Sequence, residues 1–172
     1  MERGVEFLKS QVSNAVLMHR TLVEALKDHE SQASDQRLRD LCLRFIPKML
    51  QHQRMLEDYQ LTLGATEGLV KRAAGVALGV ARDLADVVRE DDFFRLVGDI
   101  VLARQMEDTF KTFREAGRTL GLQQLAQIGE IGERHHDEYA KEANRLVQQM
   151  FVERVRGSEE TIRAAEQPTT AV

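Results

Sequence analysis

The chain predicts an all-α protein whose core is shared by four long amphipathic helices. Three observations carry that prediction. Leu, Ala, Glu, Arg and Gln dominate, and only two prolines, Pro47 and Pro168, interrupt the 172 residues. Apolar residues recur every three or four positions over four long stretches, the period of a helix buried along one stripe. No segment alternates β-branched or aromatic residues with polar ones as a half-buried strand would.

The first helix spans about Glu2 to His29, with a seam of Val5, Leu8, Val12, Ala15, His19, Leu22 and Leu26. The polar run Glu30 to Asp35 ends it, and Ser34 or Asp35 can cap the second helix. That helix continues to about Leu63 on Leu38, Cys42, Phe45, Met49, His52, Leu56, Tyr59 and Leu63. Pro47 falls inside it and predicts a kink or local break, while Gly64 predicts the stop. So short a link makes the first two helices antiparallel neighbours. Residues 66–89 form a further helical stretch, small and apolar around Gly75 and Gly79. It reads as a crossover or a dimer contact in preference to a membrane-surface segment, because the run is short and acidic residues follow it. Asp91 or Asp92 caps the third bundle helix, which carries Phe93, Leu96, Ile100, Ala103, Glu107, Phe110, Arg114 and Gly117 on its seam. After a turn at Gly121 the fourth runs to just before Gly157, with Leu122, Leu125, Gly129, Gly132, His136, Tyr139, Ala143, Leu146 and Met150 inward. Residues 1–156 thus make one bundle domain, and 157–172 a flexible tail.

Charge and composition exclude some functions. The formal charge of −4, with mixed signs, argues against a nucleic-acid footprint. No apolar run is long enough for a transmembrane helix, and the first residues do not read as a signal peptide. Cys42 is the sole cysteine, so no internal disulfide can form, which fits a reducing compartment. A cytoplasmic location is the expectation.

The functional signal lies in the seams. His19, His52, Glu107 and His136 each place a metal-ligand side chain near the middle of a different helix, and Glu133 stands one turn before His136. Imidazole and carboxylate bind iron, manganese and zinc, and a helical bundle builds a metal centre from convergent side chains of facing helices. Glu107, Glu133 and His136 form a two-carboxylate, one-imidazole set that suits iron or manganese. His19 and His52 offer two more imidazoles. A metal-free polar network, each His and Glu paired with a neighbour such as Arg114, explains the same residues. Gly129 and Gly132 weaken the fourth helix by about 1 kcal/mol each relative to Ala, and point to close approach by another helix or to room beside the site. His135 reads as a neighbour of the site or a solvent-facing residue, not a ligand. Tyr59, Tyr139, Met49 and Cys42 read as core.

Taken together, Leu22 to Leu26, Met55 to Tyr59 with Leu63-Gly64, Arg104 to Asp108 and Glu130 to His136 resemble the ferritin-like superfamily, and within it the bacterial YciF-type stress-associated proteins. The resemblance covers roughly residues 5–155. It implies a ferritin-like four-helix bundle with an extra crossover helix between the second and third bundle helices, a di-metal carboxylate centre, often iron, and a homodimer. The chain departs from that pattern at His19, where a carboxylate is expected, and at Met49, where a Glu-x-x-His would begin. One metal position is therefore intact and one altered, so one ion instead of two, or none, fits. The function implied is metal binding, of iron or manganese, in oxidative-stress or iron handling. The alternative is a metal-free bundle acting in interaction or self-assembly.

Overall fold

The computed structural model of the protein describes residues 2–64 and 91–166, and every long element among them is a helix. The helices are α1 (Glu2–Gln32), α2 (Gln36–Thr62), α3 (Asp92–Leu120), α4 (Gln123–Val155) and α5 (Glu159–Glu166). The predicted crossover helix, with Gly75 and Gly79, lies outside the described residues.

Local chemistry sets the helix ends. Asp35 caps α2 by accepting from the Arg37 amide, and Asp91 caps α3 in the same way through the Phe93 amide. Gly121 closes α3 in the left-handed conformation at φ 69°, where its amide bonds back to the Gly117 carbonyl. The helical assignment of α2 runs through Pro47 without the break that the sequence suggested. Pro47 lies on the exposed face, so the carbonyl one turn before it, at exposed Leu43, is on the side open to water. Past Gly157, residues 159–166 are helical, not simply a tail, yet none of them is buried.

The helices pack as two hairpins, α1 with α2 and α3 with α4, joined by α1–α3 and α2–α4 contacts. Asp92, at the start of α3, ties one end together. Its Oδ2 accepts from the Ser34 amide and hydroxyl and from the Asp35 amide at 2.7–2.8 Å. Arg37 near the start of α2 reaches Glu153 near the end of α4. At the opposite end, Leu63 and Leu122 pack against the apolar cluster that holds Val12. Thus α2 finishes at one end of the molecule and α3 begins at the other.

Two apolar clusters fill the interior. One is built around Leu22, Leu38, Met49, Leu96, Ala103, Tyr139 and Met150. The other gathers Val12, Val16, Leu56, Met106, Phe110, Phe113 and Ile128. In sequence, His19, His52 and His136 each fall between the positions their helix gives to one cluster and those it gives to the other. A polar layer therefore divides the core near mid-height.

The glycines of α4 explain the closest helix approach. A Cβ on Gly129 would stand 2.3 Å from the Arg114 amide nitrogen and 2.5 Å from the Phe110 carbonyl oxygen. One on Gly132 would stand 2.4 Å from the Phe110 ring. These residues let α3 and α4 meet backbone to backbone and seat an aromatic ring. The close approach expected from the sequence is what they serve.

Candidate metal centre

Three of the five predicted ligands come together. His19 of α1, His52 of α2 and His136 of α4 are fully buried, each at 0% exposure. Their ring centres are 5.1 Å apart for His19–His136, 5.6 Å for His52–His136 and 6.2 Å for His19–His52. From α3 the group receives a hydrocarbon face. The Phe110 ring lies 4.9, 5.8 and 5.9 Å from the rings of His136, His52 and His19.

Each imidazole is held by one nitrogen and leaves the other without a partner. His136 Nδ1 is 2.7 Å from the Gly132 carbonyl. A carbonyl only accepts, so Nδ1 carries the proton and Nε2 carries a lone pair. His19 Nδ1 is 2.9 Å from Gln53 Oε1. The Gln53 amide is oriented by its own nitrogen, which donates to Glu57 and to the Val16 carbonyl, so Oε1 faces His19 as an acceptor. His19 Nε2 must therefore also carry a lone pair. His52 Nε2 lies 2.8 Å from His135 Nδ1, and here either nitrogen can donate. His19 Nε2, His136 Nε2 and His52 Nδ1 are all buried with no hydrogen-bond partner.

Burial also holds the rings neutral. Removal from water lowers His19 to about 4, against partial support from Gln53 and Glu57. Burial, then repulsion from His19, His135, Arg134 and Lys48, lowers His52 to about 3. His136 is pushed well below the ordinary histidine range, first by burial and then by His19. Neutral imidazole is the form that ligates a metal.

The two glutamates stand apart. Glu107 is 19% exposed and pairs with Arg104, whereas Glu133 is 21% exposed and pairs with Arg114. The seam of α3 keeps Leu96, Ala103, Phe110 and Gly117 inward as predicted but departs from the prediction at two other turns. Met106, not Glu107, is fully buried, with Phe113 buried where Arg114 was expected inward. One residue along a helix turns the side chain by about 100°. That small error carries Glu107 from the core to its edge. Sequence reasoning missed Gln53, while His135, read as a neighbour of the site or a solvent-facing residue, contacts His52. Gln53 adjoins His52 on a buried stripe wider than one seam, where nothing in the sequence sets it apart from a solvent-facing glutamine.

Imidazoles that share one ion at the usual metal–nitrogen distance of about 2.0–2.1 Å keep their ring centres roughly 5–5.5 Å apart. Two of the three spacings here, 5.1 and 5.6 Å, fall at that value, and the third is wider. As placed, no group of three or more His, Cys, Asp or Glu side chains among the described residues is arranged to hold an ion. The rings are near enough, the donors are free, and His19 and His52 need to draw together.

Comparison with protein-family models, with curated proteins and with solved structures finds no match to this chain. The geometry of the site has to carry the functional reading by itself.

Proposed function

We propose that this protein binds one transition-metal ion through His19, His52 and His136, within a ferritin-like helical bundle. The single observation that carries the reading is the set of three buried ring nitrogens with no hydrogen-bond partner. Leaving a buried polar atom unsatisfied costs about 1–3 kcal/mol, and three gathered in one layer ask for a common electrophile. Two of the three carry a lone pair whichever tautomer His52 adopts, so a second acceptor cannot satisfy them. The hydrogen bonds that His19 and His136 donate to Gln53 Oε1 and the Gly132 carbonyl, with the His52–His135 contact, hold the rings from behind, as groups outside a metal's own ligands commonly do. That α2 ends and α3 begins at opposite ends of the molecule is the relation a ferritin-like connection requires.

The donor set alters which ions the site suits. The carboxylates that favour iron and manganese are paired with arginines. An all-imidazole set suits zinc, copper, iron and nickel better than manganese. One ion is expected, since a second would need ligands the cluster does not offer.

Metal analysis of purified, stripped and reloaded protein tests the reading. One ion per chain is expected in the wild type and in Glu107→Gln with Glu133→Gln, and none in His19→Ala with His136→Ala. Metal that survives the histidine changes but is lost with the glutamates would move the site to Glu107 and Glu133. A wild type that takes up no metal would favour the metal-free bundle, which the present separation of the ligands supports.

A further inference from the structure

We infer that, with no ion bound, the histidine layer holds one buried water, which donates to His19 Nε2 and His136 Nε2 and accepts from His52 Nδ1. That water stands beside the metal-binding reading and does not depend on it.

The hydrogen-bonding groups match one by one. His19 and His136 each give their one ring proton to an acceptor behind the ring, the Gln53 amide oxygen and the Gly132 carbonyl. Both Nε2 atoms are then acceptors, and no donor among the described residues reaches either. Two acceptors cannot satisfy each other. Water brings two donors and accepts in return, and a buried water typically makes about three hydrogen bonds. Its two protons go to His19 and His136, which leaves its oxygen to accept from His52 Nδ1. His52 therefore carries its proton on Nδ1. Its Nε2 then accepts, and His135 Nδ1, 2.8 Å away, is the donor. One molecule thus fixes the tautomers of four histidines and matches all three orphaned nitrogens.

Size and charge agree with a water. With ring centres 5.1, 5.6 and 6.2 Å apart, a water about 2.8 Å from each nitrogen sits roughly 2 Å off the plane of those centres. Phe110, 4.9–5.9 Å from all three rings, covers one face of that plane, so the water takes the other. Hydrogen bonds are longer than metal–nitrogen bonds of about 2.0–2.1 Å and tolerate wider angles. The rings can therefore hold a water as they stand, although no ligand group among the described residues is arranged for an ion. Negative charge from Glu57 is felt at His19, and positive charge from Lys48 and Arg134 at His52. A neutral ligand is indifferent to that balance, whereas an ion is not.

Long-range proton–nitrogen spectra of the histidine rings in metal-stripped wild-type protein at neutral pH test this, together with a crystal structure of the same protein. His19, His52, His135 and His136 are all expected to carry the proton on Nδ1. One solvent peak is expected about 2.7–3.2 Å from each of the three orphaned nitrogens. A proton on His52 Nε2, or no solvent peak within hydrogen-bond distance of these atoms, overturns the inference. His136→Phe removes one of the two acceptors, and the folded variant should lose one long-lived water relative to wild type by oxygen-17 relaxation dispersion. An unchanged count in that variant also overturns it. Metal uptake by the wild type is read separately. No uptake with the water in place sinks the metal reading alone, and uptake with His52 protonated on Nε2 sinks the water alone.

Discussion

Among the buried polar groups of the described residues, two are built on opposite principles. Toward the end where α3 begins, Asp99 is 1% exposed and receives His29 Nδ1 at 2.8 Å and the Tyr139 hydroxyl at 3.2 Å. That group pairs acceptor with donors, both of which meet the same oxygen, Oδ2. At mid-height, His19, His52 and His136 each keep one ring nitrogen with no protein partner opposite it. Closure is what structure alone requires of buried polar atoms. Its failure at three neighbouring atoms is the reason to look for a ligand in one place and not in the other.

Acid should separate the two groups most strongly. Unfolded histidines titrate near 6.5, whereas folded His19 and His52 titrate at about 4 and about 3. Below 6.5 the unfolded chain therefore binds more protons, and stability falls with pH from about 6.5 down to those values. His19 alone accounts for about 3 kcal/mol over that window. Asp99 works in the other direction. Burial raises its carboxyl, against the opposing pull of His29 and Tyr139. The folded state then holds the extra proton, so this contribution is present at low pH and is lost as pH rises through the folded value. Urea midpoints of the stripped protein at pH 7, 5 and 4 should fall steeply overall. The fall should be shallower in His19→Leu and steeper in Asp99→Asn. Identical slopes in all three proteins would dissolve the contrast.

A direct truncation comes next in size. Asp99→Ala removes the partner of the buried Tyr139 hydroxyl and of the part-buried His29 ring, and should cost about 3–5 kcal/mol, read from urea unfolding. In the stripped protein His136→Phe should cost far less. It loses one hydrogen bond, of about 1 kcal/mol, and removes a lone pair that no protein group satisfies. Saturating metal should then widen the gap between wild type and His136→Phe by about 2.7 kcal/mol at a hundredfold excess over Kd. A metal effect of equal size in the variant would place the ion elsewhere.

The difference between the groups was only half legible in the chain. The four long helices, their order and their antiparallel hairpins followed from seams that repeat over many turns, so a few wrong positions did no harm. Val5, for instance, was expected inward and is 49% exposed. A site gets no such averaging. Choosing Glu107 over Met106 made the predicted ligand set carboxylate-rich, whereas the structure buries Met106 and leaves Glu107 at the edge of the core. His19, His52 and His136 were found because each lies at the centre of its stripe. Asp99 and Gln53 were not, because a polar residue beside a seam looks the same in sequence whether it faces water or a partner helix. No pattern in the chain distinguishes a histidine with two partners from one with a free nitrogen. That difference is made by the Gly132 carbonyl and the Gln53 amide, whose positions depend on packing.

Packing around Phe110 offers a smaller test of the open group. Gly132→Ala would put a methyl 2.4 Å from the ring, which contacts all three imidazoles and must shift. Overpacking of this kind costs about 1–3 kcal/mol. Metal affinity should fall along with stability, because the displaced ring takes the space that three converging imidazoles need. A loss of stability with affinity intact would mean that Phe110 gives way on its other side and that its contact with the histidines has no role.

The smallest expected effect is also the most selective. Tyr139→Phe deletes one hydroxyl from the closed group and leaves the ring packed on Phe45 at 5.3 Å. Asp99 keeps His29, so the loss should be about 0.5–1.5 kcal/mol. Tyr139 stands one turn from His136 on the same face of α4, near enough for a shared function to be imagined. If the groups are separate, metal stoichiometry and affinity in Tyr139→Phe should match wild type within error while the urea midpoint drops. A tenfold change in affinity would instead join the phenol to the metal site, and the polar layer would have to be redrawn as one network running from His52 through His136 to Asp99.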